Sequence, residues 1–164
     1  MNRRLYSRIA QETNESLFLI TLVTVFVCPV ALAQPEKSIT IHQEIDFVAT
    51  PQRVYEALLD ANQFTAFSGR PAEIDKKVGG PFSLFGGHII GRNVELLSNQ
   101  RIVQAWRVVT WPEGVYSIAK FELKPQGSGT RLVFDHIGFP EGLHDHLAEG
   151  WESNYWKLLK KYFH

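Results

Sequence analysis

An α+β domain, in which a curved antiparallel sheet wraps one long C-terminal helix, is predicted by three observations. A period-two run of apolar residues opens the folded part of the chain, and two short helical patterns follow it. Six β-like segments separated by glycine- and proline-bearing turns come next, and the chain then closes on its longest helical pattern. A sheet that bends away from such a helix at one end leaves a cavity between them.

The elements follow from the residues in order. Over 38–49, Ile39, Ile41, Gln43, Ile45 and Phe47 alternate with polar neighbours, the spacing of a half-buried strand. Thr50 suits a helix cap and Pro51 the first helical position; Val54, Tyr55, Leu58 and Leu59 then recur on one face. Asp60 opens a second short helix through Phe64 and Phe67, which ends at Gly69 ahead of Pro71. Strands are expected at 72–78, 81–85, 88–97, 101–109, 115–123 and 130–138. Their links are Gly79-Gly80, Gly86-Gly87, Ser98-Asn99, Pro112-Glu113-Gly114 and Gln126-Gly127-Ser128-Gly129, short enough to make neighbours antiparallel in a sheet of six to seven strands. From 143 to 163 a broad helical face carries Leu147, Trp151, Asn154, Tyr155, Leu158 and Tyr162. Glu149 and Glu152 precede Lys157, Lys160 and Lys161, an order that complements the helix dipole.

Composition excludes several function classes. The 164 residues hold 17 Lys+Arg against 17 Asp+Glu, without the basic surplus that phosphate neutralisation requires, so no nucleic-acid partner is expected. A single Cys makes neither an intramolecular disulfide nor a structural zinc site. The glycines follow neither phosphate-loop pattern, and there is no G-x-S-x-G elbow, so neither a nucleotide cofactor nor a serine nucleophile is expected.

The first 33 residues read separately from the rest. Arg3, Arg4 and Arg8 precede an uncharged run over 17–33 that ends in Ala31-Leu32-Ala33 after Pro29, the order of a secretory signal with cleavage before Gln34. An uncleaved membrane anchor, with membrane contact through 17–33, and a misassigned start remain alternatives. The expected organisation is a signal peptide or anchor over 1–33 and one domain over 34–164, exported to the periplasm or the exterior.

Several stretches carry a family resemblance. They are Phe47-Val48-Ala49-Thr50-Pro51 through Leu58, Ile74-Asp75 to Gly79-Gly80-Pro81-Phe82, Ile90-Gly91, and Arg101 to Arg107 with Gln104-Ala105-Trp106. Thr130-Arg131-Leu132, His136 to Pro140, and His146 through Gly150-Trp151 to Tyr155 complete the set. In this order they resemble the START-like (SRPBCC) helix-grip superfamily, and within it the group of the C-terminal domain of the activator of the 90-kDa heat-shock-protein ATPase. The resemblance implies a helix-grip fold and a hydrophobic cavity large enough for a ligand, without naming the ligand.

The residues expected to touch such a ligand lie on faces turned toward the long helix. Leu132, Phe134 and His136 share one strand face; Gln104 and Trp106 share another, where Gln104 needs a polar partner such as Asn154 or a ligand atom. Ser117 and Ala119 are small and leave space on theirs. Phe67, Phe82, His146, Trp151 and Tyr155 supply apolar area and polar tips. His136 is read first as a hydrogen-bonded residue, with His146 or the Trp151 indole as partner, and otherwise as a ligand contact or an acid/base group. His144, Asp145, His146 and Glu149 lack metal-ligand spacing, so no metal is expected.

Three functions stay open. The first is an exported module binding a small hydrophobic molecule. The second is a chaperone-binding domain, disfavoured by the leader. The third is a cyclase or dehydratase using His136 or Asp135, for which no residue pattern speaks directly.

Overall fold

The computed structural model describes residues 40–164, so the predicted leader lies outside the described residues. Strand β1 (Thr40–Phe47) leads into helices α1 (Pro51–Leu59) and α2 (Ala61–Ser68). Strands β2 (Glu73–Ile74), β3 (Pro81–Leu84), β4 (Ile89–Leu97), β5 (Arg101–Val108), β6 (Ser117–Gln126) and β7 (Gly129–Ile137) follow. The chain ends in α3 (His144–Trp151), a π-helical segment (Glu152–Trp156) and α4 (Lys157–Phe163), one continuous helix. The seven strands form one antiparallel sheet in the order β1-β7-β6-β5-β4-β3-β2, so the first strand closes against the last. This is the predicted helix-grip architecture.

Local chemistry accounts for the boundaries. Thr50 caps α1 by accepting from Arg53 N–H, with Pro51 in the first turn. Asp60 caps α2 by accepting from Asn62 and Gln63 N–H, and Gly69 ends it at φ 68°. β6 and β7 meet in a two-residue turn, with Gln126 opposite Gly129 and Gly127 at φ 59°, tighter than the four-residue link expected.

The strand expected over 72–78 shrinks to Glu73–Ile74. Beyond it Lys77 N–H donates to Asp75 O, Gly80 N–H to Lys77 O and Gly79 N–H to Asn93 O, so the chain folds back on itself. A Cβ on Gly80 would stand 2.3 Å from Asp75 O, so the turn needs glycine there. Gly91 serves close approach: a Cβ would meet the Phe82 ring at 2.3 Å and Ala105 O at 2.1 Å. The one register shift in β4 lies between Asn93 and Glu95, a bulge that adds to sheet curvature.

The core lies between the concave face of the sheet and the helices. Ile41, Ile45 and Phe47 of β1, Phe121 and Leu123 of β6, and Leu132 and Phe134 of β7 are buried there. From the C-terminal helix come Leu147, Trp151, Tyr155, Trp156, Leu159 and Phe163. This corrects the predicted helical face, which holds its phase through Tyr155 and then slips by one residue. Lys157 N–H bonds to Glu152 O, five residues back, and the widened turn moves Leu159 and Phe163 inward in place of Leu158 and Tyr162.

Candidate functional site

The sheet–helix interface is sealed at its β1–β7 end. Gln43 of β1 accepts from the Trp156 indole N–H at 2.7 Å and donates to Ala148 O at 3.3 Å, tying the first strand to the last helix. Phe134 packs against Trp151 and Trp156 at 4.4 and 5.2 Å, and Phe121 against Phe134 at 5.1 Å. The π turn that carries Trp156 inward also has side-chain donors for its carbonyls: Ser153 Oγ donates to Glu149 O and Asn154 Nδ2 to Gly150 O.

His136 sits at the centre of this region, fully buried. The Trp151 indole N–H donates to His136 Nδ1 at 3.0 Å, and an indole nitrogen cannot accept. The ring proton therefore lies on Nε2, which donates to Ser117 Oγ at 2.7 Å, and that hydroxyl donates in turn to Trp106 O at 2.9 Å. Each hydrogen in the chain has one direction. Burial lowers the His136 pKa to about 3, and protonation would set an N–H against the indole N–H. His136 thus has the Trp151 partner considered from sequence, and neither nitrogen is free for a proton transfer to a bound molecule. Asp135 lies on the opposite strand face, bonded to His42 and Lys120.

The other end of the interface is open. Between β4, β5 and the C-terminal helix lies a cleft of about 230 Å³. The sheet supplies Ile89, Trp106 and Val108. The turn between β3 and β4 supplies Phe85 and His88, and the chain after α2 supplies Arg70. The helix supplies His146, Leu147, Gly150, Trp151, Asn154 and Tyr155. Phe85 holds φ at 55°, a strained value for an aromatic residue, with its ring 5.2 Å from Phe64 and 5.3 Å from Tyr155. Trp106, 3% exposed, lines this cleft, and its buried Nε1–H meets the Tyr155 phenol more loosely than the Trp151 and Trp156 indoles meet their acceptors. Burial raises the pKa of the Tyr155 phenol, and a hydrogen bond from the Trp106 indole acts in the opposite direction. The phenol stays protonated at neutral pH.

Of the residues expected at a ligand site, the cleft brings together Trp106, His146, Trp151 and Tyr155. Phe67, Phe82, Gln104, Ser117, Phe134 and His136 stand outside it. Phe67 packs on Phe64 and Tyr155, and Phe82 fills the space beside Gly91. Gln104 does not pair with Asn154. It donates to Asn93 Oδ1 at 3.1 Å, and Asn93 donates to Asp75 O at 3.0 Å, so the buried amide is satisfied within the sheet. The small side chains of Ser117 and Ala119 leave no gap, because the His136 ring and its aromatic neighbours occupy that space.

Arg70, Phe85, His88 and Asn154 were not singled out as ligand contacts. Three of them sit in connecting segments, and only their position at the β3–β4 end of the sheet reveals them. Among the described residues no group of three or more His, Cys, Asp or Glu side chains is arranged to hold a metal ion. No described helix is long and apolar enough to cross a membrane.

Known proteins are similar to this chain in sequence and fold. The chain is 29% identical over 132 residues to the mouse activator of 90 kDa heat shock protein ATPase homolog 2, covering 80% of this chain and 40% of that protein. It is 26% identical over 135 residues to the human homolog 1, covering 82% of this chain and 39% of that protein. It therefore spans about two fifths of the length of these curated relatives. The crystal structure of an HSP90 activator from Plasmodium falciparum superposes with a TM-score of 0.71 at 29% identity, covering 74% of this chain and 94% of that one. Residues 48–164 match the family described as activator of Hsp90 ATPase homolog 1-like protein, and with its helix-grip sheet and C-terminal helix the chain belongs to that family.

Proposed function

We propose that the domain binds a small, largely apolar molecule in the cleft between β4–β5 and the C-terminal helix. One observation carries this reading. At an interface otherwise filled by closely packed rings, the cleft retains open volume beside the aromatic walls of Trp106, Trp151 and Tyr155. A tightly filled core would have no such volume. Native mass spectrometry of the purified protein is expected to detect a bound small molecule released on denaturation, and naphthalene is expected to compete for the same cleft. A protein that emerges empty and takes up no naphthalene overturns the reading.

A second reading, contact with a heat-shock ATPase, is favoured by family membership. The convex sheet face offers Tyr116, Ile118 and Ile137, all exposed, with Ile118 directly opposite Ile137 on β6 and β7. Loss of a chaperone interaction on Ile118→Asp with the cleft unchanged would support it. The run over 17–33 is read as directing the domain out of the cytosol. N-terminal sequencing is expected to begin at Gln34. A cytosolic protein beginning at Met1 would overturn export and favour the chaperone.

A further inference from the structure

We propose that the cleft holds a small apolar carboxylate head-out, its body against the aromatic walls and its carboxylate at the mouth beside the Arg70 guanidinium. This rests on the cleft being a ligand site and adds the chemistry and the direction of what enters it. Arg70 stands apart among the six arginines of the described residues. Arg101 and Arg131 pair with Glu95 and Asp46, Arg92 and Arg107 donate to the carbonyls of Gly79 and Trp111, and Arg53 lies over the Phe163 ring. The Arg70 guanidinium has no such partner among the described residues, and it lines the cleft. Its backbone is nonetheless held in place. Arg70 N–H donates to Ser68 Oγ and Ala72 N–H to Thr65 Oγ1, while Pro71 O accepts from Gly86 N–H at 2.8 Å, in the turn that also carries Phe85 and His88. The fold thus fixes an unpaired cation at the cleft mouth.

The rest of the lining agrees in sign and in direction. His88 and His146 are exposed at the rim, Asn154 directs its amide hydrogens to Gly150 O and Ser153 Oγ and leaves a neutral oxygen, and no Asp or Glu lines the cleft. A cationic head would meet a like charge there, whereas a carboxylate matches the planar fork of a guanidinium. Farther in, the walls are rings, and the Trp106 indole and Tyr155 phenol turn to each other. A charge carried inward would lose its water without gaining a partner, so the head stays at the mouth. The volume of about 230 Å³ falls below the roughly 300–1,000 Å³ of pockets for drug-sized molecules. That size suits one or two rings with a short acidic arm rather than a two-chain lipid, and the flat walls of Trp106 and Tyr155 suit rings.

The test titrates the purified protein at low salt with three probes of similar shape: 2-naphthylacetate, its neutral amide 2-naphthylacetamide, and 2-(2-naphthyl)ethylammonium. Because Arg70 is exposed, its pairing is worth only a modest factor, and naphthylacetate is expected to bind about threefold more tightly than the amide, with the ammonium weakest. Arg70→Gln is expected to bring naphthylacetate to within about twofold of the amide and to change the amide itself by less than about twofold. Arg70→Glu reverses the charge and is expected to place the ammonium ahead of naphthylacetate. Should either variant fail to fold, the unmodified protein decides, since the preference for naphthylacetate over the amide is expected to fade at high salt, where an exposed pair is screened. Naphthylacetate binding no tighter than the amide, or a preference that survives both substitutions or high salt, overturns the inference and leaves the cleft as a site without a charged mouth contact. Binding of none of the three overturns the ligand reading itself.

Discussion

The two ends of the sheet–helix interface are built from the same kinds of residue and differ in how their polar atoms are used. At the β1–β7 end the indoles of Trp151 and Trp156 each donate to a named partner, His136 and Gln43, and those partners are held by further bonds. At the β4–β5 end the Trp106 indole meets only the neighbouring Tyr155 phenol, without a close hydrogen bond, and aromatic walls stand around an open cleft. A buried aromatic residue with a polar tip therefore seals the interface or leaves it open according to how closely that tip is paired, and residue type alone does not decide between them.

The largest expected effect breaks the sealed end. Trp156→Ala removes a fully buried indole and leaves Gln43 Oε1 without its donor, and a loss of about 3–5 kcal/mol is expected by chemical denaturation. Because Trp156 does not line the cleft, ligand affinity of the protein that remains folded should be preserved.

Acid weakens the same end. The His136 pKa is about 3 in the folded protein, below the 6.5 of an unperturbed imidazole, so between these values the unfolded chain binds a proton that the folded chain does not. Stability is fully present above pH 6.5 and falls as the pH drops. The expected loss from this group is about 2 kcal/mol between pH 7 and pH 5. Urea midpoints measured across that range check it, and His136→Gln should remove this part of the slope.

Two conservative aromatic changes sharpen the comparison. Trp156→Phe leaves the Gln43 oxygen unpaired and is expected to cost about 1–2 kcal/mol. Tyr155→Phe, one residue earlier on the same helix, removes a hydroxyl that meets the Trp106 indole only loosely and is expected to cost less, about 0.5 kcal/mol. Thermal denaturation of the two variants side by side reads the difference. Similar losses in both would remove the distinction between the ends.

Most of the fold was legible in short-range chemistry. Thr50-Pro51, Asp60 and Gly69 mark helix boundaries because caps are local, and the strand alternation reports which face is buried. The slip after Tyr155 was not legible, since a helical pattern extrapolated at 3.6 residues per turn has no place for the wider turn at Glu152–Trp156. The Gln104–Asn93 pair escaped because it depends on register and on the bulge between Asn93 and Glu95. The site was legible only where it uses periodic elements. Trp106, His146, Trp151 and Tyr155 lie on such elements, whereas Arg70, Phe85 and His88 are brought to the cleft by connecting segments.

Hydrogen exchange at the indole nitrogens, followed by 1H–15N NMR in 2H2O, tests the contrast between the two ends most directly. The account predicts slow exchange for the hydrogen-bonded Trp151 and Trp156 N–H groups and markedly faster exchange for Trp106, despite its burial. Protection of the Trp106 N–H equal to that of Trp156 would mean that its contact with the Tyr155 phenol is as close as the Trp156–Gln43 bond, and would contradict the account.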